Sequence, residues 1–183
     1  MTRWWHYTLA SKLLRIVADA HIRRAKLHVH GTERRAVWFS SRESWEPTAT
    51  KRFMSSAGEG RPATIAEMVS FGGALVRLEV PESVARFTWS EHRKRGGIDA
   101  RSANALEAAA LKSGADPNEW RVTYHDVPMS AILAVEASQD GGEWSPVGEP
   151  SSTGEWLIDA KFLQIAKAVA HRDWFRPSTF RDR

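Results

Sequence analysis

The side chains best equipped for chemistry stand in three short stretches. RWWHYT (Arg3 to Thr8) sets His6 among two tryptophans and Tyr7, with the Thr8 hydroxyl two residues on. AVWFS (Ala36 to Ser40) runs into Ser40 and Ser41 behind Trp38 and Phe39, with Trp45 close after. EWRVTY (Glu119 to Tyr124) opens on a single carboxylate just past the breaker SGADPN. For a lone histidine in an aromatic run, the default is a core histidine with a satisfied hydrogen bond; the alternative is a polar handle for a ligand. Nine tryptophans in 183 residues pose the same choice. Trp38, Trp45, Trp89, Trp120, Trp144, Trp156 and Trp174 are spread through strands and turns, as core and rim packing or as ring faces for a nucleotide or base.

Other chemistries are excluded or weak. The chain has no cysteine, which removes disulfides, thiolate catalysis and zinc ribbons. It carries no G-x-G-x-x-G, Walker loop, H-E-x-x-H or G-x-S-x-G. His28 and His30 form an H-x-H with His21 upstream, but no carboxylate follows at a diagnostic distance, so they read as surface histidines and no metal is expected. No apolar run approaches the ~18–20 residues of a membrane span. Met1 to Val17 lacks a signal peptide's long apolar region and cleavage site, so a cytoplasmic protein without membrane contact is expected. A net charge of +4 and a pI near 9.7 are compatible with nucleic acid without requiring it.

The elements that must position these residues follow from periodicity. Arg3 to Thr8 is a β-prone strand, and Leu13, Ile16, Val17 and Ala20 place a helix over Ala10 to Ala20, capped by Thr8 or Ser11. Ala36 to Ser40 is a second strand, and SRESWEPTATK after it is a loop or short turn. Met54 to Pro62 has the Gly- and Ser-rich composition of a mobile loop. Ala74 to Val80 alternates apolar and charged residues and ends at Pro81, the clearest strand pattern in the chain. Asp99 or Ser102 opens an alanine-rich helix to about Lys112. Strands are expected at Glu119 to Tyr124, Ile132 to Ala137 and, beyond the turn Asp140-Gly141-Gly142, Glu143 to Val147. Ile158, Phe162, Ile165, Ala166 and Val169 share one face of a C-terminal helix over about 157–172. With no repeats and no second core, the expectation is one α+β domain over 1–183 with roughly five to seven strands.

In that order and context, WHYT plus a helix, then VWFSS, then EWRVTYHDVPMSAILAVE, the chain resembles the ADP-ribosyltransferase superfamily. It is most similar to DarT-type DNA-targeting toxins and small bacterial and phage relatives; the tRNA 2′-phosphotransferases share that core. The resemblance spans roughly residues 3 to 137. It implies a split, bent mixed sheet flanked by helices, with NAD as co-substrate in the cleft. It implies that His6 bonds the adenosine ribose, that Thr8 touches the nicotinamide end through its backbone, and that Trp38 or Phe39, with Ser40, flanks the nicotinamide. Tyr7 and Trp45 would complete the aromatic wall, and Glu119 would be the catalytic carboxylate. The residue types suit the reaction. Cleaving the nicotinamide–ribose bond passes through an oxocarbenium-like state, which a fixed carboxylate stabilises more than the ground state. Aromatic walls hold the flat ring and exclude water.

Departures from the family pattern bear on the acceptor. Where many protein-modifying relatives carry Glu or Gln two residues before the catalytic Glu, this chain has Pro117, which disfavours arginine modification. Arg77 and Arg121 are candidates for a basic residue near the cleft, with a solvated strand face as the alternative for Arg77. RFTWSEHRKRGGIDAR (Arg86 to Arg101) carries five Lys or Arg around Trp89. Arg93, Lys94 and Arg95 there could track phosphates while Trp89 stacks on a base, although Glu91 and Asp99 partly cancel the charge. A nucleic-acid acceptor is therefore favoured over a protein, with a toxin or phage–bacterium conflict role and an antitoxin or immunity partner in view. Two rivals stand beside this reading. A non-catalytic nucleic-acid- or protein-binding module on the same fold would neither bind nor consume NAD. An RNA 2′-phosphotransferase-like enzyme would need several phosphate-gripping basic residues, which do not align.

Overall fold

The computed structural model describes residues 2–25, 33–54 and 60–170. In chain order its elements are β1 (Trp4–Leu9), α1 (Ala10–Ala18), β2 (His21–Ile22), β3 (Val37–Ser40), β4 (Arg52–Met54), β5 (Gly60–Pro62), α2 (Ile65–Gly72), β6 (Leu75–Val80), β7 (Phe87–Thr88), α3 (Trp89–Arg95), α4 (Ala100–Lys112), β8 (Trp120–Thr123), β9 (Val127–Pro128), β10 (Ala134–Ser138), β11 (Ser145–Pro150), β12 (Trp156–Ile158) and α5 (Ala160–Ala170). The class is α+β.

Eight strands form one sheet in the order β12-β11-β10-β6-β1-β3-β8-β7, and two further pairs, β2-β9 and β4-β5, stand apart. Every pairing among the described residues is antiparallel, so the sheet is not mixed as expected. It is also wider than expected, because β7 and β12 have only two and three residues, too few for alternation to register.

A seam runs through the sheet between β1 and β3. β1 pairs with β6 at six positions and β3 pairs with β8 at four, but β1 and β3 meet at the single pair Trp5↔Ser40. The sheet is continuous there by one bridge, with five strands on one side of it and three on the other.

Alternation along β1 divides the core. Trp5, Tyr7 and Leu9 pack with Trp45, Met68 and Leu75, under α2. Trp4 joins Val76, Leu78 and Val80 with Leu13 of α1 and Phe162 and Ala166 of α5. Beyond the seam, Trp89, Ala103, Ala110 and Trp120 form a third cluster, where α3 and α4 cover β8. β6 is buried on both faces, Arg77 included, so its apolar–charged alternation does not mark a solvated side.

Several boundaries differ from expectation. α1 has no side-chain cap from Thr8 or Ser11; Leu9 stands at its N-cap, and the Ala10 N–H donates to the Ala74 carbonyl at 3.0 Å. Helices α2 and α3 are additions to the expected elements, and each begins at a reciprocal cap, Thr64 with Glu67 and Thr88 with Glu91. α4 opens on Asp99, as expected, with its carboxylate accepting from the Ser102 N–H at 2.9 Å. Of the proposed C-terminal face, Phe162, Ala166 and Val169 are buried, Ile165 is exposed and Ile158 belongs to β12, so the helix begins after 158. The expected loop at Met54 to Pro62 is in part a hairpin of β4 with β5; residues 55–59 of it lie outside the described residues, as do His28, His30 and Trp174. Among the described residues no helix is long and apolar enough to cross a membrane, and no group of His, Cys, Asp and Glu is placed to hold a metal.

Candidate functional site

Where β1 and β3 part, the seam opens into a cavity of about 270 Å³. Trp5, His6 and Tyr7 line it from β1, Trp38, Phe39 and Ser40 from β3, and Trp120 from the start of β8. Glu46, Thr48, Ala49 and Lys51 close it from the segment after β3, and Leu106 from α4. Two stretches separated by some thirty residues, WWHYT and VWFS, thus meet at one site.

His6 stands across the gap. Its Nδ1 lies 3.0 Å from the Trp38 carbonyl, which can only accept, so Nδ1 carries the proton. Burial pushes the imidazole down to about 4, against the Trp38 carbonyl, which favours the charged form; nearby Lys51 adds to the drop. At neutral pH the ring is uncharged and Nε2 is an acceptor. The core-histidine reading is met at Nδ1, and Nε2 is left as an acceptor on a cavity-lining ring. The folded chain binds this proton less readily than the unfolded chain, so stability should be full above about 6.5 and fall as pH drops towards about 4. The loss is about 3 kcal/mol from this group. His6→Gln keeps a donor for Trp38 and removes the titration; urea midpoints at pH 4.5 and 7 should then lie closer together than in the unaltered chain. An unchanged gap would take His6 out of the acid response.

The loop after β3 is held by two side chains of the sheet. The Tyr7 hydroxyl donates to the Arg42 carbonyl and the Arg77 guanidinium to the Glu43 carbonyl. Arg77 also pairs with Glu136 at 2.6 Å and lies between the rings of Trp5 and Trp144, at 3.9 and 4.4 Å. It is a support of the loop, neither solvated nor in the cavity. Trp45 lies a layer behind, edge-on to Tyr7, its backbone N–H on the Gly141 carbonyl and its indole N–H on Thr50. Thr8 is buried and is not among the residues lining the cavity.

Glu119 ends a short 3-10 turn, Pro117–Glu119, one residue before β8, and its carbonyl accepts from the Ser41 N–H at 3.0 Å. That bond docks it beside the end of β3. Its Oε2 is buried without a hydrogen-bond partner, 3.8 Å from Arg42 Nη1. Burial raises the carboxyl above its ordinary range; Arg42 opposes this, while Glu46 and Asp116 add to it.

Glu46 is a site residue that the sequence did not single out. It is 4% exposed, and its Oε1 accepts from the Thr48 N–H at 3.2 Å and hydroxyl at 2.7 Å, capping the turn Pro47–Ala49, whereas Oε2 has no partner. The sequence Glu-Pro-Thr does signal a capped turn with proline at its first position, but not that the cap is buried at a cavity wall. Lys51, likewise unmarked, is half-buried, and its ammonium has no ion-pair partner among the described residues.

The remaining candidates lie elsewhere. Arg121 faces the other side of β8, paired with Glu82 at 2.8 Å and over the Trp4 ring. Trp89 is buried against Trp38 and Trp120, and its indole N–H donates to Glu107, so it presents no face to a base. Arg93 pairs with Glu107 at 2.8 Å and Arg95 lies over Phe87, leaving Lys94 exposed beside them in the last turn of α3, where cations suit the helix end. The expected basic loop is thus a strand end and a helix. No family model matches the chain, and neither a curated protein nor a solved structure matches it.

Proposed function

We propose that the chain is an NAD-dependent ADP-ribosyltransferase that holds the nicotinamide–ribose part of NAD in the seam cavity, with Glu119 as its catalytic carboxylate. The observation carrying this reading is a set of buried polar atoms without hydrogen-bond partners on residues that line or adjoin one aromatic-walled cavity: Trp5 Nε1, Trp120 Nε1, Glu46 Oε2 and Glu119 Oε2. Buried polar atoms are normally paired. Sugar hydroxyls both donate and accept, so they can serve indole N–H groups and carboxylates together. The volume of about 270 Å³ lies just below the ~300–1,000 Å³ range of ligand pockets, room for part of a dinucleotide with the adenosine end outside. The one-bridge seam supports the split sheet that this reading requires.

Bound NAD supplies a glycosidic bond whose cleavage leaves positive charge on the ribose. In this reading Glu119, which adjoins the cavity without lining it, faces that charge, the rings of Trp38 and Phe39 exclude water, and His6 Nε2 accepts from a hydroxyl. Among the described residues the single cation lining the cavity is Lys51, which argues against a phosphotransferase site built from several basic grips.

For the acceptor we keep nucleic acid, now on the charge of Lys94 and Arg95 without Trp89, and with it the conflict-protein role. The test incubates the full chain with labelled NAD and separates DNA, RNA and protein pools. Label should enter a nucleic-acid pool and fall about tenfold between ~50 and ~200 mM salt, as two phosphate contacts imply. Neutralising Arg93, Lys94 and Arg95 together should reduce that label and leave slow NAD hydrolysis intact. Label in the protein pool, insensitive to salt and to the triple change, would make the acceptor a protein. Absence of NAD binding would leave the inert module.

A further inference from the structure

Glu46 is the carboxylate that lines the cavity itself, and it has no part in the chemistry proposed for Glu119 beside it. We propose that Glu46 sets which ring the cleft accepts: its unpartnered Oε2 takes an N–H from the carboxamide of a cationic pyridinium and turns away the analogue bearing a carboxylate. The inference rests on the NAD reading and adds a specificity-determining residue to it.

Glu46 is nine-tenths buried and more, and only one of its oxygens is used by the fold. A carboxylate withdrawn from water is costly unless something pairs with it, and the free oxygen belongs to a cavity-lining residue. Its partner must donate, because a carboxylate oxygen only accepts. Both signs of charge also stand at the cavity. Glu46 acts on Tyr7 and on Glu119, raising both, while Lys51 acts on His6, lowering it. Arg42 and Asp116 face Glu119 from the neighbouring segments, and Lys12 of α1 faces Lys51. Glu46 and Lys51 thus bring both signs of charge to the lining of one cavity, with Glu119 beside it.

A ligand that answers both Glu46 and Lys51 should carry positive and negative charge together. The nicotinamide nucleotide does, with a pyridinium ring and a phosphate. Its carboxamide offers the N–H that Glu46 Oε2 lacks. Nicotinic acid in the same pose would bring a carboxylate against Glu46 with no proton between them, in surroundings of low dielectric.

The test is calorimetric titration of the full chain with NAD and with nicotinic acid adenine dinucleotide. NAD should bind about 10- to 100-fold more tightly. Glu46→Gln keeps the Oε1 cap for Thr48 and converts Oε2 to an amide that can donate, so the preference should shrink to within about threefold while the melting temperature holds. If the glutamine variant melts early, Glu46→Asp takes its place; the withdrawn carboxylate should likewise narrow the preference. Equal binding of the two dinucleotides to the unaltered chain overturns the proposal and leaves the NAD reading standing. So does a preference that survives in a well-folded variant. Binding of neither dinucleotide overturns both.

Discussion

Glu119→Gln should lower transferase turnover by about 10²–10³-fold while changing NAD affinity far less. The substitution leaves the backbone anchor intact, since the contact to Ser41 is made by the Glu119 carbonyl. It keeps the size of the side chain and removes only the charge. That charge sits on an oxygen buried without a hydrogen-bond partner, and Arg42 is too far at 3.8 Å to quench it by a direct bond. A group so prepared gains most as positive charge moves from the pyridinium to the ribose carbon beside it, and less when the substrate merely binds. The raised carboxyl also fixes the acid side of the pH profile. Activity needs the ionised form, so the rate should fall with decreasing pH from a point above the ordinary carboxylate range. Steady-state kinetics and a binding titration on the same preparation check both parts. Turnover near that of the unaltered chain would remove Glu119 from the mechanism.

His92→Ala should destabilise the fold by roughly 3–5 kcal/mol, the largest stability effect expected of a single change here. His92 is fully buried, with Nδ1 2.9 Å from the Tyr124 hydroxyl and Nε2 3.0 Å from the Glu33 carboxylate. Both partners are themselves buried, so each loses a bond where water cannot replace it. The ring also packs edge-on to Trp38 at 5.0 Å. The damage should thus reach the cavity wall from behind, and NAD binding should weaken along with stability. Chemical denaturation measures the first effect; a loss under about 1 kcal/mol would mean that the network relaxes around the gap.

Much of the site was readable in the sequence because its chemistry stands on strands. WWHYT and VWFS are strands by composition, and His6, Tyr7, Trp38, Phe39 and Ser40 do converge on one cavity. Glu46 and Lys51 were not readable. Their burial depends on a loop that the sheet holds down through Tyr7 and Arg77, and no local pattern encodes a contact across 35 residues of sequence. Arg77 misled for a similar reason: charge on an alternating strand suggests water, but Glu136 on the adjacent strand pairs with it inside. The helices α2 and α3 are a different case. Both follow Thr-x-x-Glu, TIAE and TWSE, a start signal present in the sequence. The basic run Arg93, Lys94 and Arg95 after Trp89 drew attention to phosphate contacts, and the cap at Thr88 and Glu91 explains the segment better. The shortest strands carry no such mark. A two-residue strand such as β7 exists only because β8 is there to pair with it.

The hold of Tyr7 and Arg77 on the loop after β3 has a consequence for how this protein tolerates change. Both side chains grip carbonyl oxygens, at Arg42 and Glu43, and every residue type offers that oxygen. Substitution at Glu43 should therefore leave the path of the chain to Glu46 intact, so the rim of the cavity is open to diversification by point change. Length is another matter. One residue gained or lost between Ser41 and Glu46 would move the gripped carbonyls out of step with the sheet and carry the buried carboxylate with them. Most surface loops absorb insertions readily. This one is ruled by spacing, and variation within it is confined to identity.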